Sequence, residues 1–392
     1  MLARPTLLAL LVTLAACGQR DQMPLTSPLS PSAPSLSQGG QDGEDDAIDE
    51  SAAGVVFTMN NATSGNAVLV FDRAADGTLT PAGSYATGGA GTGGGLGSQG
   101  AVTLSKDGRI LLAVNPQSND VTAFAVRGNR LVKLNTTPSG GLRPISVTIS
   151  GHLVYVLNAG GSGGIAGFRL HGDDGLTPIA GSARPLSSAA AGPAQISFAP
   201  NGGSLIVTEK AANAIVSYNV RADGTTGSPA VTPSAGQTPF GFAFSHRDLL
   251  IVSEAFGGAP DASAASSYSI DHGTLAVKSA SVPTTETAAC WFVVTPNGKF
   301  AYTTNTGSGS ITGYRVASDG RLSILDADGR TGVTGAGSAP TDEALSGNGR
   351  FLFALNSGSH SVVAFRIGGN GSLSTLSGAV GLPVGAVGLA AR

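Results

Sequence analysis

From residue 53 onward, short apolar runs recur along the chain and each breaks off at a polar residue: VVFTMN at Asn60, ILLAVN at Asn115, LVYVLN at Asn158, LIVTE at Glu209, LLIVSE at Glu254, FAYTTN at Asn305 and FLFALN at Asn356. These anchors lie 55, 43, 51, 45, 51 and 51 residues apart, a period that decides architecture before any single motif does. After each anchor a short Gly/Ser/Asn stretch leads into a second run with an aromatic residue at a fixed place: Phe71, Phe124, Phe168, Tyr218, Tyr268, Tyr314 and Phe365. Runs this short, rich in β-branched and aromatic residues and bounded by turn formers, predict strands joined in hairpins. Before most anchors stands a third run closed by a turn, as in GAVTLSKDGR, AQISFAPNGG and WFVVTPNGK, and a weaker fourth run follows Asp76-Gly77, Asp223-Gly224 and Asp319-Gly320. Asp-Gly supplies the positive φ that a tight hairpin turn needs. Four strands per copy and seven copies predict an all-β fold, a seven-bladed β-propeller of four-stranded antiparallel blades.

The first copy starts at its second strand, at Val55, and has no innermost strand before it. PVGAVGLAAR, residues 383–392, has the pattern of an innermost strand with nothing after it. The ring is therefore expected to close by pairing both ends of the domain in one blade, which removes an open sheet edge.

Composition narrows the partners. Charged residues make up only 12% of the chain, about half the usual share, while its 58 glycines are roughly twice the usual number. With a net charge of −3 and no Lys/Arg cluster, nucleic acid and acidic lipid surfaces are not expected as main partners. The N-terminal MLARPTLLALLVTLAAC has one early Arg, an apolar core too short to span a bilayer and small residues before Cys17, the pattern of a secretory signal. LAAC resembles the bacterial lipobox, which implies cleavage before Cys17 and a lipid on its sulfur. The domain plan is a signal peptide over 1–16, lipidated Cys17 with a Ser/Pro/acidic tether over 17–52, and the propeller over 53–392. The expected location is the cell envelope, periplasm or cell surface, with membrane contact only through the N-terminal lipid.

The period, the PNG and DG turns, and segments such as GPAQISFAPNGGSLIVTEKAANAIVSY and TPNGKFAYTTNTGSGSITGYRVASDGRL resemble the lactonase-type seven-bladed propellers, which include cycloisomerase-like and 6-phosphogluconolactonase-like enzymes. The resemblance runs from about residue 54 to the end. It implies a histidine where this chain has Pro144-Ile145, Arg-His where it has Ala194-Gln195, and an acid in the pair that here is Thr208-Glu209. It also implies a Glu where Trp291 stands and an Arg where Thr306 follows Asn305. Of these positions only Glu209 keeps the family residue.

Antiparallel blades bring the anchors and the starts of the innermost strands to one face, so Arg143, Gln195, Glu209, Glu254, Cys290, Trp291, Asn305, Asp342, Glu343 and Asn356 are expected around the channel mouth. Glu209 and Glu254 occupy equivalent places in adjacent blades. Two carboxylates in one concave mouth can share a proton and act as base and partner toward a lactone, with Arg143 or Gln195 facing the oxyanion. Equally, an acid can replace Asn at a turn because both accept hydrogen bonds from backbone amides. Trp291, the only tryptophan, beside Asn305, Asp342 and Glu343 suits a sugar face or a cationic group if exposed. The glycine run Gly88–Gly97 reads as a flexible loop on the channel face. No cofactor is expected, and a divalent cation in the channel is left open.

Two functions follow. One is a lactone or ester hydrolase using Glu209 and Glu254. The other is a non-catalytic binding propeller for a glycan, peptide or envelope partner. An open pocket touching both glutamates favours the hydrolase, and a mouth plugged by Trp291 and Phe240 favours the binder.

Overall fold

Period-two alternation is weak in the second strand of each copy because both faces of that strand are covered. Every residue of Ser204–Glu209 is buried, and Leu205, Ile206 and Val207 have no exposed surface. A strand covered on both sides reads as a continuous apolar run, which is what a blade packed between two neighbours requires. The computed structural model describes residues 54–245 and 249–392. The expected signal peptide, Cys17 and the tether lie outside the described residues.

The described strands form seven antiparallel sheets in a ring, each built outward from an innermost strand. Numbered in chain order, the innermost strands are Val387–Ala391 in blade 1, Val102–Leu104 in blade 2, Pro144–Ser150 in blade 3 and Pro193–Phe198 in blade 4. Pro239–Ser245, Ala289–Val294 and Pro340–Leu345 complete the set in blades 5, 6 and 7. The one departure from four strands is in blade 6, where Gly332–Val333 adds a second short outer strand beside Ser310 and Ile311.

Three sequence signals explain this packing. The seven third-strand aromatics are all buried, from Phe71 and Phe124 to Tyr314 and Phe365, and each stands opposite an apolar residue of its own second strand, as in Phe124 opposite Leu111 and Tyr218 opposite Leu205. The turns between innermost and second strands are fixed by side chains: Asp107, Asn201, Asn297 and Asn348 each accept the backbone N–H two residues on, at 2.9–3.1 Å. The turns after the third strands lock one blade onto the preceding one. Gly224 has φ +84°, and a Cβ there would lie 2.8 Å from Leu153 of blade 3. Its carbonyl accepts the Tyr155 hydroxyl of that blade at 2.8 Å. Gly371 repeats the arrangement against Phe300 and Tyr302 of blade 6. Asp-Gly and Asn-Gly are thus needed both for the turn and for the close approach between blades.

Closure follows the expectation. The C-terminal strand Val387–Ala391 pairs with Gly54–Met59 through Val56–Ala391, Phe57–Ala390 and Thr58–Leu389. The Arg392 N–H donates to the Val55 carbonyl at 3.0 Å, and the Val55 N–H donates back at 3.2 Å. Blade 1 without this strand would expose the inner edge of Gly54–Met59 and part the ring between blades 7 and 2. Deleting residues 383–392 should abolish the cooperative thermal transition of the domain; a transition of unchanged midpoint, followed by circular dichroism, would contradict this role for the C-terminal strand.

Candidate functional site

The mouth is built by a repeated backbone device. The residue before an innermost strand is left-handed in blades 3 to 7: Arg143, Gly192, Thr238, Ala288 and Ala339 have φ between 48° and 59°. A register shift follows in each of these strands, between Pro144 and Ser146, Pro193 and Gln195, Pro239 and Phe242, Ala289 and Phe292, and Pro340 and Asp342. The bulge turns one side chain per strand toward the ring axis or the next blade.

Those side chains, with Ser253 of the second strand of blade 5, join neighbouring blades at the mouth. The Gln195 carboxamide accepts the Phe242 N–H at 2.7 Å and donates to the Phe242 carbonyl at 3.0 Å, joining blade 4 to blade 5. The Ser253 hydroxyl of blade 5 donates to the Cys290 carbonyl of blade 6. Ser146 of blade 3 accepts the Ile196 N–H of blade 4 at 3.2 Å.

A different set of bonds crosses the channel. Gln99, which precedes the innermost strand of blade 2, accepts the Phe292 N–H of blade 6 at 2.9 Å and donates to its carbonyl at 2.8 Å. The Trp291 indole N–H of blade 6 donates to the Ser98 carbonyl at 2.9 Å. From the other side, the Gln99 N–H donates to Ala194 of blade 4 at 3.1 Å, and Lys210 Nζ of blade 4 donates to the Gly97 carbonyl at 2.5 Å. A segment from blade 2 that is bonded to both blade 4 and blade 6 stands in the centre of the ring. Gly241 makes room for it, since a Cβ there would lie 2.2 Å from Gln99 Oε1. Beside it Phe240 and Trp291 meet edge to face at 4.8 Å, both buried, with Ala194, Ala255, Ala288 and Cys290 around them. The mouth is plugged.

This corrects several expectations. Trp291 is 2% exposed and spends its N–H on Ser98, so it offers no indole face to a ligand. Gln195 has both ends of its carboxamide engaged by backbone. The glycine run is tied down: Asn61 accepts the Thr92 N–H at 3.0 Å and donates to the Gly94 carbonyl at 2.7 Å.

Glu209 and Glu254 are fully buried, Glu209 turned to the segment that connects blade 3 to blade 4 and Glu254 into blade 5. Glu209 accepts the Ser187 N–H at 2.9 Å and the Ser187 hydroxyl. Glu254 accepts the Gly236 N–H at 2.8 Å and the hydroxyls of Ser266 and Ser281 at 2.5 and 2.7 Å. Burial raises the Glu254 pKa, and these three donors offset part of the rise. No hydrogen bond joins the two glutamates among the described residues. The partners explain the choice of acid. Asn115 and Asn305 give their Nδ2 to acceptors on the third strand, Asp120 and Thr122 in one case and Ser310 and Thr312 in the other. In blades 4 and 5 the facing groups are donors, which an acceptor-only carboxylate matches.

Of the other expected residues, Arg143 is exposed, with its N–H held by Asn119 at 2.7 Å, and Asn305 is buried. Sequence reasoning missed Gln99 and Lys210. The Lys210 amine lies 4.8 Å from the Phe240 ring centre, and burial, helped by the Arg143 charge, lowers its pKa to about 8. A lone Gln or Lys in a loop carries no periodic signal that could have found it.

Asp342 and Glu343 are buried side by side in blade 7, at 1% and 2% exposure. Asp342 lines a channel cavity of about 280 Å³ below the plug. Its Oδ1 accepts the Glu343 N–H at 2.8 Å, while Oδ2 has no hydrogen-bond partner among the described residues. Neither Glu343 oxygen has one either. Burial holds both acids well above the usual carboxylate range, and Glu343 is raised further by the Asp342 charge; the nearby backbone N–H groups of Glu343 and Leu389 for Asp342, and of Val293 for Glu343, offset part of the rise without the last two meeting hydrogen-bond geometry. A folded-state pKa above the unfolded value gives stability that is complete below about pH 4 and is lost as pH rises through the folded value. Glu343→Gln should therefore match the parent protein near pH 4 and exceed its stability by at least about 1 kcal/mol at pH 8, read from denaturant midpoints. An equal offset at both pH values would contradict the assignment.

The sequence profile described as Lactonase, 7-bladed beta-propeller matches residues 52–180 and 273–387, more than half of the chain. No curated protein matches the chain in sequence. Among solved structures, a candidate 6-phosphogluconolactonase from Bacteroides uniformis superposes with a TM-score of 0.68 at 20% identity, covering 85% of this chain and 99% of its own. The periplasmic gluconolactonase of Pseudomonas aeruginosa gives 0.65 at 18% identity, covering 85% and 98%. At such identities the likeness is one of fold. The profile match is what assigns the family: this chain belongs to the lactonase family of seven-bladed β-propellers.

Proposed function

We propose that this protein is a non-catalytic binding propeller of the lactonase family, exported and held at the cell envelope by a lipid on Cys17, and that its ligand is a glycan. The observation that carries this reading is the plugged mouth. A hydrolase of this architecture would need a reacting group that a substrate can reach, and here the two candidate carboxylates are buried and accept hydrogen bonds from neighbouring serines and backbone amides. The choice of a glycan is supported by a second hollow, about 590 Å³, on blade 1 between the loops at 60–67 and 84–89. Asn60, Ser64 and Ser84 line it with amide and hydroxyl groups, and Gly65, where a Cβ would meet nothing within 4 Å, leaves the backbone open to a ligand. Uncharged amides and hydroxyls are the groups that sugar hydroxyls pair with, and the volume falls within the range of small-ligand sites.

The hydrolase reading keeps one physical point in its favour besides family membership. The Lys210 amine, with its pKa near 8, lies beside the plug and is partly neutral in mildly alkaline solution. A panel of unphosphorylated and phosphorylated sugar lactones separates the two readings. The purified full chain should show no turnover above buffer across the panel between pH 6 and 9, and a glycan array should show binding that Asn60→Ala weakens at least tenfold. Lactone turnover that Lys210→Met or Glu254→Gln abolishes would overturn the binding reading.

Export and anchoring rest on the N-terminal sequence. In a bacterial host the parent chain should partition into the membrane fraction and take up labelled palmitate. Cys17→Ser should do neither; continued membrane partition of that variant would count against the lipid anchor.

A further inference from the structure

The channel cavity below the plug is faced by a buried acid whose hydrogen bonding is incomplete. It runs from Gln99 toward the far ends of the innermost strands at Leu104, Leu345 and Ala391, which are partly exposed, so it is reached from the face opposite the mouth. Asp342 stands in its wall, 1% exposed, with Oδ2 unpartnered. The remaining lining offers neutral oxygen from the Thr103, Thr148 and Ser197 side chains and from the backbone of the innermost strands, the Gln99 and Gln195 carboxamides being engaged by Phe292 and Phe242. Among the described residues, no Lys, Arg or His lines the cavity to neutralise the acid. A second acid, Glu343, follows in the same strand and does not line the cavity.

We infer that this cavity is a binding site for a hard divalent cation of the calcium type, with Asp342 as its charged ligand. Hard cations take carboxylate, carbonyl and hydroxyl oxygens at flexible geometry and complete their shell with solvent, which is the donor set the cavity offers. A single directly ligating carboxylate places the affinity in the weak class, with a Kd of roughly 0.1–1 mM, typical of extracellular modules. A weak site of this kind is filled where calcium is millimolar. Binding would remove the cost of a buried, half-bonded carboxylate at the seam where blade 7 meets the closing strand of blade 1, so the ion would act as a clasp on the ring.

The probe is calcium chloride added to the purified full chain after treatment with EDTA, at constant ionic strength set with sodium chloride. The thermal midpoint should rise by roughly 2–5 °C in 10 mM calcium, and isothermal titration should give a Kd in the range above. Asp342→Asn, which keeps the Oδ1 bond to the Glu343 N–H, should fold by circular dichroism and lose the shift. Glu343→Gln should keep it. The inference is overturned if the parent protein shows neither a midpoint shift nor heat of binding, or if Asp342→Asn retains both. Should Asp342→Asn fail to fold, the parent chain decides alone: calcium retained after gel filtration in 1 mM calcium, measured by elemental analysis, supports the site, and its absence overturns it.

Discussion

Every blade of this ring buries both faces against its neighbours, so the pairing of Val387–Ala391 with Gly54–Met59 is the contact on which all the others depend. No blade can satisfy its own apolar surface: Leu205, Ile206 and Val207 in blade 4 and their counterparts elsewhere are covered only because the circle is complete. Closure by main-chain hydrogen bonds between the two ends makes the domain a single cooperative unit, unlike an open repeat array whose end repeats need special caps. The same constraint creates a central channel lined by strand edges, and the chemistry of the protein turns on how those edges are covered.

Here they are covered from within. The segment Gly97–Gln99 leaves blade 2 and is bonded by blades 4 and 6, and the Trp291–Phe240 pair fills what remains of the mouth. The cost is borne by special positions: left-handed Arg143, Thr238, Ala288 and Ala339, and a glycine at 241 that gives Gln99 its path. Non-glycine residues in this conformation mark places where surrounding structure over-determines the backbone. In this family member that strain frames a sealed mouth with Glu209 and Glu254 serving as internal clamps. Chemical interest shifts to the lower channel, where Asp342 is left incompletely bonded.

The fold was legible because its signals repeat. Anchor spacing, third-strand aromatics and Asp-Gly turns each occur several times, and a one-copy accident cannot imitate a period. Even the closing strand could be read from PVGAVGLAAR, since the first copy begins one strand short. The site was legible only in part: Trp291 was expected at the mouth face and stands there, whereas Asp342 was expected with it and instead lines the lower channel. Direction within that face depends on bulges and on the partners each side chain meets, and neither leaves a mark in a single sequence. Glu209 and Glu254 were placed at the correct level but turn outward to Ser187 and to Ser266 and Ser281. Trp291 was placed at the mouth but faces Ser98. Gln99, which makes the crossing, stands after a glycine run with no periodic partner and could be found only from its long-range bonds.

The central claim is that the mouth is sealed, and Trp291, as the only tryptophan in the chain, reports on it directly. Its fluorescence in the native protein should be blue-shifted and weakly quenched by acrylamide, moving to the solvent-exposed maximum only on unfolding. A red-shifted native emission, quenched as strongly as in denaturant, would mean an open mouth and would contradict the account.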